Sequence, residues 1–197
     1  LPDPVPNEIS MRPTTMYGLT KVAGELLGEY YEQKFGIDFR GVRFPGLINA
    51  GVPGGGTSDF ALFMYVDGLT KGRYASFAEP RARIPFMYMP DALRAMLELS
   101  AAPKQNLKRS VYNIAAMSPT AEEFAEAVRA RVPGVDITFE PQPDLQAILD
   151  SWPRALDDQA AREEWGWKHE YDLDRMSDDL VAKVRAMIDE GAIAAEV

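Results

Sequence analysis

A tyrosine and a lysine stand four residues apart near the start of the chain, in the segment Tyr17-Gly18-Leu19-Thr20-Lys21. On a helix, residues at this spacing lie one turn apart on the same face. An ammonium group beside a phenol stabilises the phenolate form, which can take a proton from an alcohol while the alcohol carbon gives up a hydride. Taken alone, the same spacing more often reflects a first-turn aromatic ring and a solvated charge, so this pair needs support from other residues.

A glycine-rich turn follows, with the sequence Pro-Gly-Gly-Gly-Thr-Ser-Asp over residues 53–59. Glycines ahead of a helix start expose backbone N–H groups that can bind a carboxylate or a phosphate, and the Thr57 hydroxyl adds a donor. No lysine follows the glycines, so the turn is not a Walker loop. A flexible turn that ends in a helix cap explains these residues equally well. Gly56 and Thr57 are therefore candidate anion-binding residues.

Two further side chains are weaker candidates. Arg83 precedes a predicted strand and could orient a substrate anion, although an exposed arginine at a strand end is the more common case. Trp152 lies in Ser151-Trp152-Pro153, and two more tryptophans lie in the segment Trp165-Gly166-Trp167-Lys168-His169. Aromatic residues of this kind more often pack than bind ligands, and the single histidine, His169, is predicted at the surface.

Composition excludes several classes of protein and site. The chain has 197 residues, of which 46% are hydrophobic and 26% charged, which suits one domain or slightly more with a real core. With no cysteine and one histidine, disulfides, thiolate chemistry and histidine clusters are excluded, and we expect no metal. The net charge of −9 argues against nucleic-acid binding. No apolar run approaches the ~20 residues of a membrane span, and the start lacks a signal-peptide pattern, so we expect a cytoplasmic protein.

Helices and strands alternate along the chain and would position these side chains. The first helix is predicted from a Thr14 or Thr15 cap to Phe35, with Gly36 as its left-handed end. Residues 46–57 are predicted as a loop, Asp91 as a helix cap, and Thr120 as part of a capping box. The alternation predicts an α/β protein. Further helices are predicted over residues 58–71, 91–99, 120–132, 143–150, 157–164 and 172–189, and strands over 38–44, 74–77, 84–89, 111–114 and 136–140.

Taken together, these segments resemble the extended short-chain dehydrogenase/reductases, the NAD-dependent epimerase/dehydratase family, and within it the group that oxidises L-threonine. The glycine turn and the Ser-Trp-Pro segment are typical of that group and are usually absent from nucleotide-sugar epimerases. The resemblance implies the C-terminal part of a Rossmann-like, doubly wound parallel sheet (residues 1–115) and a small, mostly helical substrate-binding lobe (residues 116–197). The segments that carry it are residues 13–21, 43–48, 53–59, 83–89, 112–118, 151–153 and 165–169.

The resemblance also implies roles for individual residues. Tyr17 would be the catalytic acid/base, and Lys21 would hold the nicotinamide ribose of NAD and favour the phenolate. The substrate would be L-threonine or a similar small amino acid, and the complete enzyme would pair as a homodimer through the Tyr17 helix. The remaining implied residues are Pro45, Gly46 and Leu47 at the nicotinamide carboxamide, and Gly56, Thr57, Arg83 and Trp152 on the substrate side.

Several parts of the family pattern have no counterpart in these residues. The family opens with a strand, a glycine-rich phosphate turn and an acidic residue for the adenosine ribose, and it supplies a Ser or Thr upstream of the tyrosine. We therefore expect a C-terminal portion that is inactive alone and binds NAD no more tightly than about 1 mM, near −4 kcal/mol. Two alternatives stay open: a nucleotide-sugar epimerase or dehydratase, and a non-catalytic fragment that acts only as an association module.

Overall fold

A computed structural model describes residues 1–194, so the last three residues of the predicted second lobe lie outside the described part. In this part, short strands alternate with helices along the chain. The strands are β1 (Gly41–Arg43), β2 (Gly46–Ile48), β3 (Arg73–Ser76), β4 (Phe86–Tyr88), β5 (Val111–Asn113) and β6 (Asp136–Phe139). The helices are α1 (Met16–Phe35), α2 (Phe60–Thr70), α3 (Met89–Ala101), α4 (Ala121–Arg129), α5 (Pro143–Ser151), α6 (Gln159–Trp165) and α7 (Leu173–Asp189), with 3-10 turns at Thr57–Asp59 and Lys104–Asn106.

The strands form three parallel pairs, β1 with β5, β2 with β4, and β3 with β6. The two members of every pair are separated along the chain by at least one helix. Parallel strands need such crossover connections, and the crossover helices cover the faces of the sheet. The predicted α/β class is therefore confirmed.

The boundaries of helix α1 agree with the prediction. Thr15 is the N-cap, and its hydroxyl accepts a hydrogen bond from Gly18 N at 3.1 Å. Gly36 ends the helix with φ of 69°, a left-handed conformation that glycine adopts without steric cost. The capping box of α4 is also confirmed, because Thr120 and Glu123 exchange hydrogen bonds.

Two local predictions are wrong. Residues 46–57 are not all loop, because Gly46–Ile48 forms β2 and pairs with β4. The Pro45-Gly46 dipeptide is a turn signal, but pairing with a distant strand overrides it here. Asp91 is not the cap of α3 either, since that helix begins at Met89 and Asp91 lies in its first turn.

The core consists of two clusters of buried side chains. In the larger one, the rings of Phe60, Phe86 and Phe124 meet edge to face, with centroids 5.0–6.3 Å apart. It joins α2 to α4 and α7, elements from both sides of residue 115, so the two predicted lobes share this core. The smaller cluster surrounds Tyr112 and Trp167 beside α3. The domain boundary itself stays a prediction.

Membrane-spanning helices and metal-binding clusters are both absent from residues 1–194. No helix of this part combines the length and apolar character needed to cross a membrane. The same residues hold no group of three or more histidine, cysteine, aspartate or glutamate side chains arranged to bind a metal ion.

Asp91 ties α3 to the segment before α7. Its buried carboxylate accepts hydrogen bonds from Glu170 N and Tyr171 N, each at 3.0 Å, and from Arg94 Nη2 at 2.7 Å. The Arg94 guanidinium also lies over the Trp167 ring, 5.0 Å from its centroid. The buried Asp91 carboxylate thus accepts hydrogen bonds from two backbone N–H groups and pairs with one guanidinium.

We expect Asp91→Ala to lower the free energy of unfolding by about 3 kcal/mol, because it leaves a half-buried cation and two backbone N–H groups without their partner. Urea titration followed by circular dichroism measures this loss. Asp189→Asn, at an exposed position on α7, is the control and should change the free energy by less than about 0.5 kcal/mol. A loss below about 1 kcal/mol for Asp91→Ala would contradict this role.

Glu164 holds the smaller cluster together through charge and hydrogen bonds. Its carboxylate, 4% exposed, accepts from Tyr112 Oη at 2.6 Å and Lys108 N at 2.7 Å, and it pairs with Arg109. Burial alone would raise the pKa of Glu164, but the hydrogen bonds from Tyr112 and Lys108 and the Arg109 charge more than offset it. The pKa of Glu164 therefore lies below its ordinary value of 4.5.

This lowered pKa predicts acid sensitivity. The unfolded chain takes up the Glu164 proton at a higher pH than the folded chain, so the stabilisation is complete above about pH 4.5 and is lost as the pH falls through the folded pKa. We expect Glu164→Gln to flatten the fall in unfolding free energy between about pH 5 and pH 3. Urea titrations at several pH values measure the slope, and Glu163→Gln, exposed on the same helix, should keep it unchanged. Equal slopes in the parent and Glu164→Gln would contradict the assignment.

Candidate active site

A cavity of about 870 Å³ lies between the start of α1, the segment that follows β1, and the residues that follow α5. Its remaining wall is the extended segment before α1, which two backbone hydrogen bonds of Val5 and the side chain of Asn7 hold in place. Six of the predicted site residues line this cavity together, although they lie far apart in sequence. They are Tyr17, Lys21, Pro45, Gly46, Leu47 and Trp152.

Tyr17 and Lys21 occupy the first two turns of α1 and face the cavity from one side. The Lys21 ammonium lies over the Tyr17 ring, 5.1 Å from its centroid, as expected for a favourable cation–π contact. Tyr17 is 72% exposed, so its hydroxyl is open to a ligand that enters the cavity. The one-turn spacing therefore brings the phenol and the ammonium side by side, as the sequence predicts.

Pro45 immediately precedes β2, and Gly46 and Leu47 are the first two residues of that strand; together they form the floor of the cavity. Gly46 N donates a hydrogen bond to Pro85 O at 3.0 Å, which fixes this backbone against β4. A Cβ atom at Gly46 would lie 3.0 Å from the Phe86 ring, so the close approach of the two strands depends on glycine. The segment is thus held rigidly and can present backbone groups to an amide such as a carboxamide.

An ion pair in the cavity wall was not predicted from the sequence. Arg43, the last residue of β1, donates from Nε and Nη2 to the Glu25 carboxylate of α1, at 2.9 and 2.7 Å. Its Nη1 donates to Asn7 O at 2.7 Å. The hydrogen bond to Glu25 raises the pKa of Arg43, and burial opposes this shift. The available signal was the position of Glu25, one turn beyond Lys21 on the same helix.

The glycine turn holds an anion of its own. The Asp59 carboxylate accepts hydrogen bonds from Gly55 N at 2.9 Å and Gly56 N at 3.1 Å. The backbone donors that sequence analysis assigned to a ligand are therefore occupied by this side chain. Within residues 1–194 the Thr57 hydroxyl has no hydrogen-bond partner, and its neighbour Ser58 lines the cavity. The substrate roles of Gly56 and Thr57 stay predictions.

Arg83 lies outside the main cavity. Its guanidinium is 3.3 Å from the Glu123 carboxylate, in a pair of partly exposed side chains. It lines a smaller cleft of about 240 Å³, and Trp152 separates this cleft from the main cavity by lining both. The other charged residues of the cleft are Arg81, Arg154, Glu79 and Asp150.

His169 and the tryptophans beside it lie away from the cavity. Trp167 is buried in the smaller core cluster, which confirms the predicted packing role. His169 is half-buried rather than at the surface, and its Nδ1 has no hydrogen-bond partner within the described residues. It does not line the cavity that holds Tyr17.

The cavity fits the nicotinamide half of NAD. Its volume lies within the usual range of about 300–1,000 Å³ for small-molecule sites. The lining also includes the Lys21 ammonium and the backbone of residues 45–47, which are groups of the kind that bind hydroxyl and amide groups. This fit concerns the nicotinamide end only, because the residues around the cavity include no glycine-rich phosphate turn.

Known proteins resemble this chain over most of its length. It is 46% identical over 172 residues to the mitochondrial L-threonine 3-dehydrogenase of Bos taurus, covering 87% of this chain and 46% of that protein. The crystal structure of L-threonine dehydrogenase from Phytophthora infestans superposes with a TM-score of 0.89 at 46% identity, covering 93% of this chain and 60% of that one. A monomeric L-threonine 3-dehydrogenase from a metagenome has a TM-score of 0.87 at 39% identity, over 94% and 60% of the two chains.

The chain spans about half the length of the curated relatives it matches. A family model adds a match that does not depend on any single relative. The model of the NAD dependent epimerase/dehydratase family covers residues 2–115, more than half of the chain and including the Tyr17–Lys21 pair and the segment 45–47. The chain therefore belongs to the NAD-dependent epimerase/dehydratase family.

Proposed function

We propose that this chain forms the C-terminal, catalytic part of an NAD-dependent dehydrogenase that oxidises the β-hydroxyl of L-threonine to give 2-amino-3-oxobutanoate. The observation that carries the proposal is the Tyr17 phenol beside the Lys21 ammonium in a cavity whose floor is residues 45–47. Further support comes from the relatives described as L-threonine dehydrogenases at 39–46% identity. Acid–base chemistry next to an amide-binding backbone suits alcohol oxidation.

The proposed reaction divides the work between protein and cofactor. NAD, when bound, supplies the acceptor for the hydride that leaves the β-carbon of threonine. Tyr17 Oη takes the proton of the β-hydroxyl as the C–O bond becomes a carbonyl, and Lys21 stabilises the phenolate that does so. Lys21 also holds the ribose, and residues 45–47 orient the carboxamide. The proton then passes from Tyr17 to solvent.

The substrate side of the proposal uses the remaining predicted residues. The Thr57 hydroxyl, next to the cavity-lining Ser58, would bind the threonine carboxylate, and Trp152 forms part of the cavity wall. Arg83 adds positive charge from the neighbouring cleft, although its pair with Glu123 reduces that charge. Gly56 contributes by shaping the turn, because Asp59 already occupies its backbone N–H.

A second candidate function is a nucleotide-sugar epimerase or dehydratase. The cleft beside Trp152 favours it, because three arginines (Arg81, Arg83 and Arg154) converge there, and guanidinium groups suit a diphosphate. Glu79 and Asp150 in the same cleft oppose an anion. Isothermal titration with UDP-glucose and with L-threonine, each in the presence of NADH, separates the two functions. Binding of UDP-glucose without binding of L-threonine would favour the epimerase or dehydratase function.

We also propose that the complete enzyme is a homodimer in which α1 contacts the second copy. None of the residues of α1 is buried, and its outer face exposes large apolar side chains, among them Leu26, Leu27 and Tyr30. Such a patch is typical of a protein interface.

Light scattering at micromolar concentrations should give twice the monomer mass for the complete enzyme. Leu27→Glu should halve this mass, while the control Gln33→Glu should leave it unchanged. A monomer mass for the parent would contradict the proposal, as one structural relative is described as monomeric.

The Tyr17 role predicts a loss of turnover without a loss of cofactor binding. In the full-length protein, meaning this chain together with the additional length that its relatives carry, Tyr17→Phe should lower kcat by about 100-fold or more. NAD affinity should stay within about threefold, since phenylalanine keeps the ring and removes only the proton acceptor. NADH production and fluorescence titration measure the two quantities. Tyr74→Phe, whose ring lies outside the cavity, is the control, and near-parental turnover by Tyr17→Phe would refute the role.

The Lys21 role predicts a loss of both turnover and NAD affinity. Lys21→Met should weaken NAD binding about tenfold or more, because a hydrogen bond to a charged group contributes about 1.5 kcal/mol or more. Turnover should fall as well, since the phenolate loses its neighbouring charge. The same titration measures the affinity, with Lys34→Met in the last turn of α1 as the matched control. Unchanged NAD affinity would remove Lys21 from the cofactor site.

A further inference from the structure

We infer that Glu25 and Arg43 are positioning residues, whose ion pair fixes Tyr17 and Lys21 relative to the segment 45–47. The inference rests on the proposed function, since it assigns these two residues to the same site. It starts from the helix itself. Helix α1 carries both catalytic side chains, yet no residue of α1 is buried.

Apart from Val22, the half-buried residues on the inner face of α1 are small or charged. Gly18 lies against Pro13, and Gly28 lies against the Phe39 ring so closely that a Cβ atom would come within 2.3 Å of it. At the far end, Glu32 pairs with Lys104 and with the Ser110 hydroxyl. Glycine contacts permit a close approach but do not resist sliding or rotation of the helix. Its position near the cavity therefore depends on directional polar contacts.

The Glu25–Arg43 pair is the directional contact closest to the catalytic turns. Two roughly parallel N–H···O bonds, from Nε at 2.9 Å and from Nη2 at 2.7 Å, join the two side chains. A bidentate pair of this kind fixes orientation as well as distance, which a lysine cannot do. The side chains of Arg43 and Glu25 are only 24% and 18% exposed, so solvent screens the pair incompletely.

Arg43 connects the helix to everything else that shapes the cavity. Its Nη1 donates to Asn7 O at 2.7 Å, which holds the extended wall, and contacts Asn113 Oδ1 of β5 at 3.4 Å. Arg43 is also the last residue of β1, two positions before Pro45. The Arg43 guanidinium thus links α1, the extended segment before α1 and β5, and its backbone leads directly into the segment 45–47.

A small displacement of α1 at the Glu25–Arg43 pair also moves Tyr17 and Lys21, which lie nearer the start of the same helix. Glu25 lies eight residues beyond Tyr17, about 12 Å along the helix axis. Rotation or sliding of α1 would move the Tyr17 hydroxyl and the Lys21 ammonium together. A misplacement of about 1 Å at a reacting group can lower a rate about 100-fold. Loss of the pair should therefore lower turnover more than it weakens substrate binding.

The test is a double-mutant cycle in the full-length protein with Glu25→Gln, Arg43→Gln and both together. We expect each single variant to lower kcat by about 10- to 100-fold with KM for threonine within about threefold, and the double variant to be no worse than about twofold below the single ones. Glu29→Gln is the matched control, because Glu29 is exposed one turn further along α1 and makes no hydrogen bond to Arg43. Arg43→Lys keeps the charge without the bidentate geometry and should lower kcat likewise.

A second readout does not depend on activity. Hydrogen exchange in Glu25→Gln, measured on this chain itself, should speed up over residues 16–28 and stay at the parental rate in α4 and α7. Parental kcat with a lowered melting temperature, additive effects in the cycle, or unchanged exchange over residues 16–28 would each overturn the inference. Failure of the proposed function is recognised separately, by a parent that does not oxidise threonine or a Tyr17→Phe variant that still does.

Discussion

The candidate site depends on how α1 is held against the rest of the molecule. This helix exposes most of its large apolar side chains, while its half-buried residues are glycines and carboxylates together with Val22 and Ala23, unlike an ordinary amphipathic helix on a core. Hydrophobic burial is non-directional and would tolerate small shifts of the helix. The bidentate bonds of Glu25 and the close contact of Gly28 with Phe39 are directional and specify one arrangement. Polar geometry and backbone proximity therefore place the two turns that carry Tyr17 and Lys21.

The pairing of the strands also determines where the cavity lies. Strands β1 and β5 pair in parallel although about 70 residues separate their partners, and β2 follows β1 after two residues but pairs with β4 instead. The chain thus changes its pairing partner between β1 and β2, next to residues 45–47, which line the cavity. Ligands of α/β proteins commonly bind where the strand order changes in this way. The cavity is thus a consequence of topology before any particular side chain is considered.

Local signals were sufficient to predict both ends of α1 and the start of α4, because specific caps stand there, whereas the cap predicted for α3 was wrong. Thr15, Gly36 and Thr120 have side-chain or backbone properties that end a helix wherever they occur. The alignment of Tyr17 with Lys21 follows from helical geometry and was equally predictable. Strand β2 was not, because its pairing partner lies about 40 residues further along the chain and local turn signals oppose it. The cleft around Arg83 and the ion pair between Glu25 and Arg43 could not be predicted from the sequence for the same reason. Each consists of residues that only the fold brings together.

The occupied glycine turn has a consequence for anion selectivity. Asp59 is tethered a few residues from the Gly55 and Gly56 amides that it contacts, and a tethered group competes at an effective concentration of roughly millimolar or more. Free phosphate or carboxylate at lower concentration leaves these amides bound to Asp59. A second anion binds these two amides only if it displaces the Asp59 carboxylate, so the turn is an anion site that the chain itself already fills.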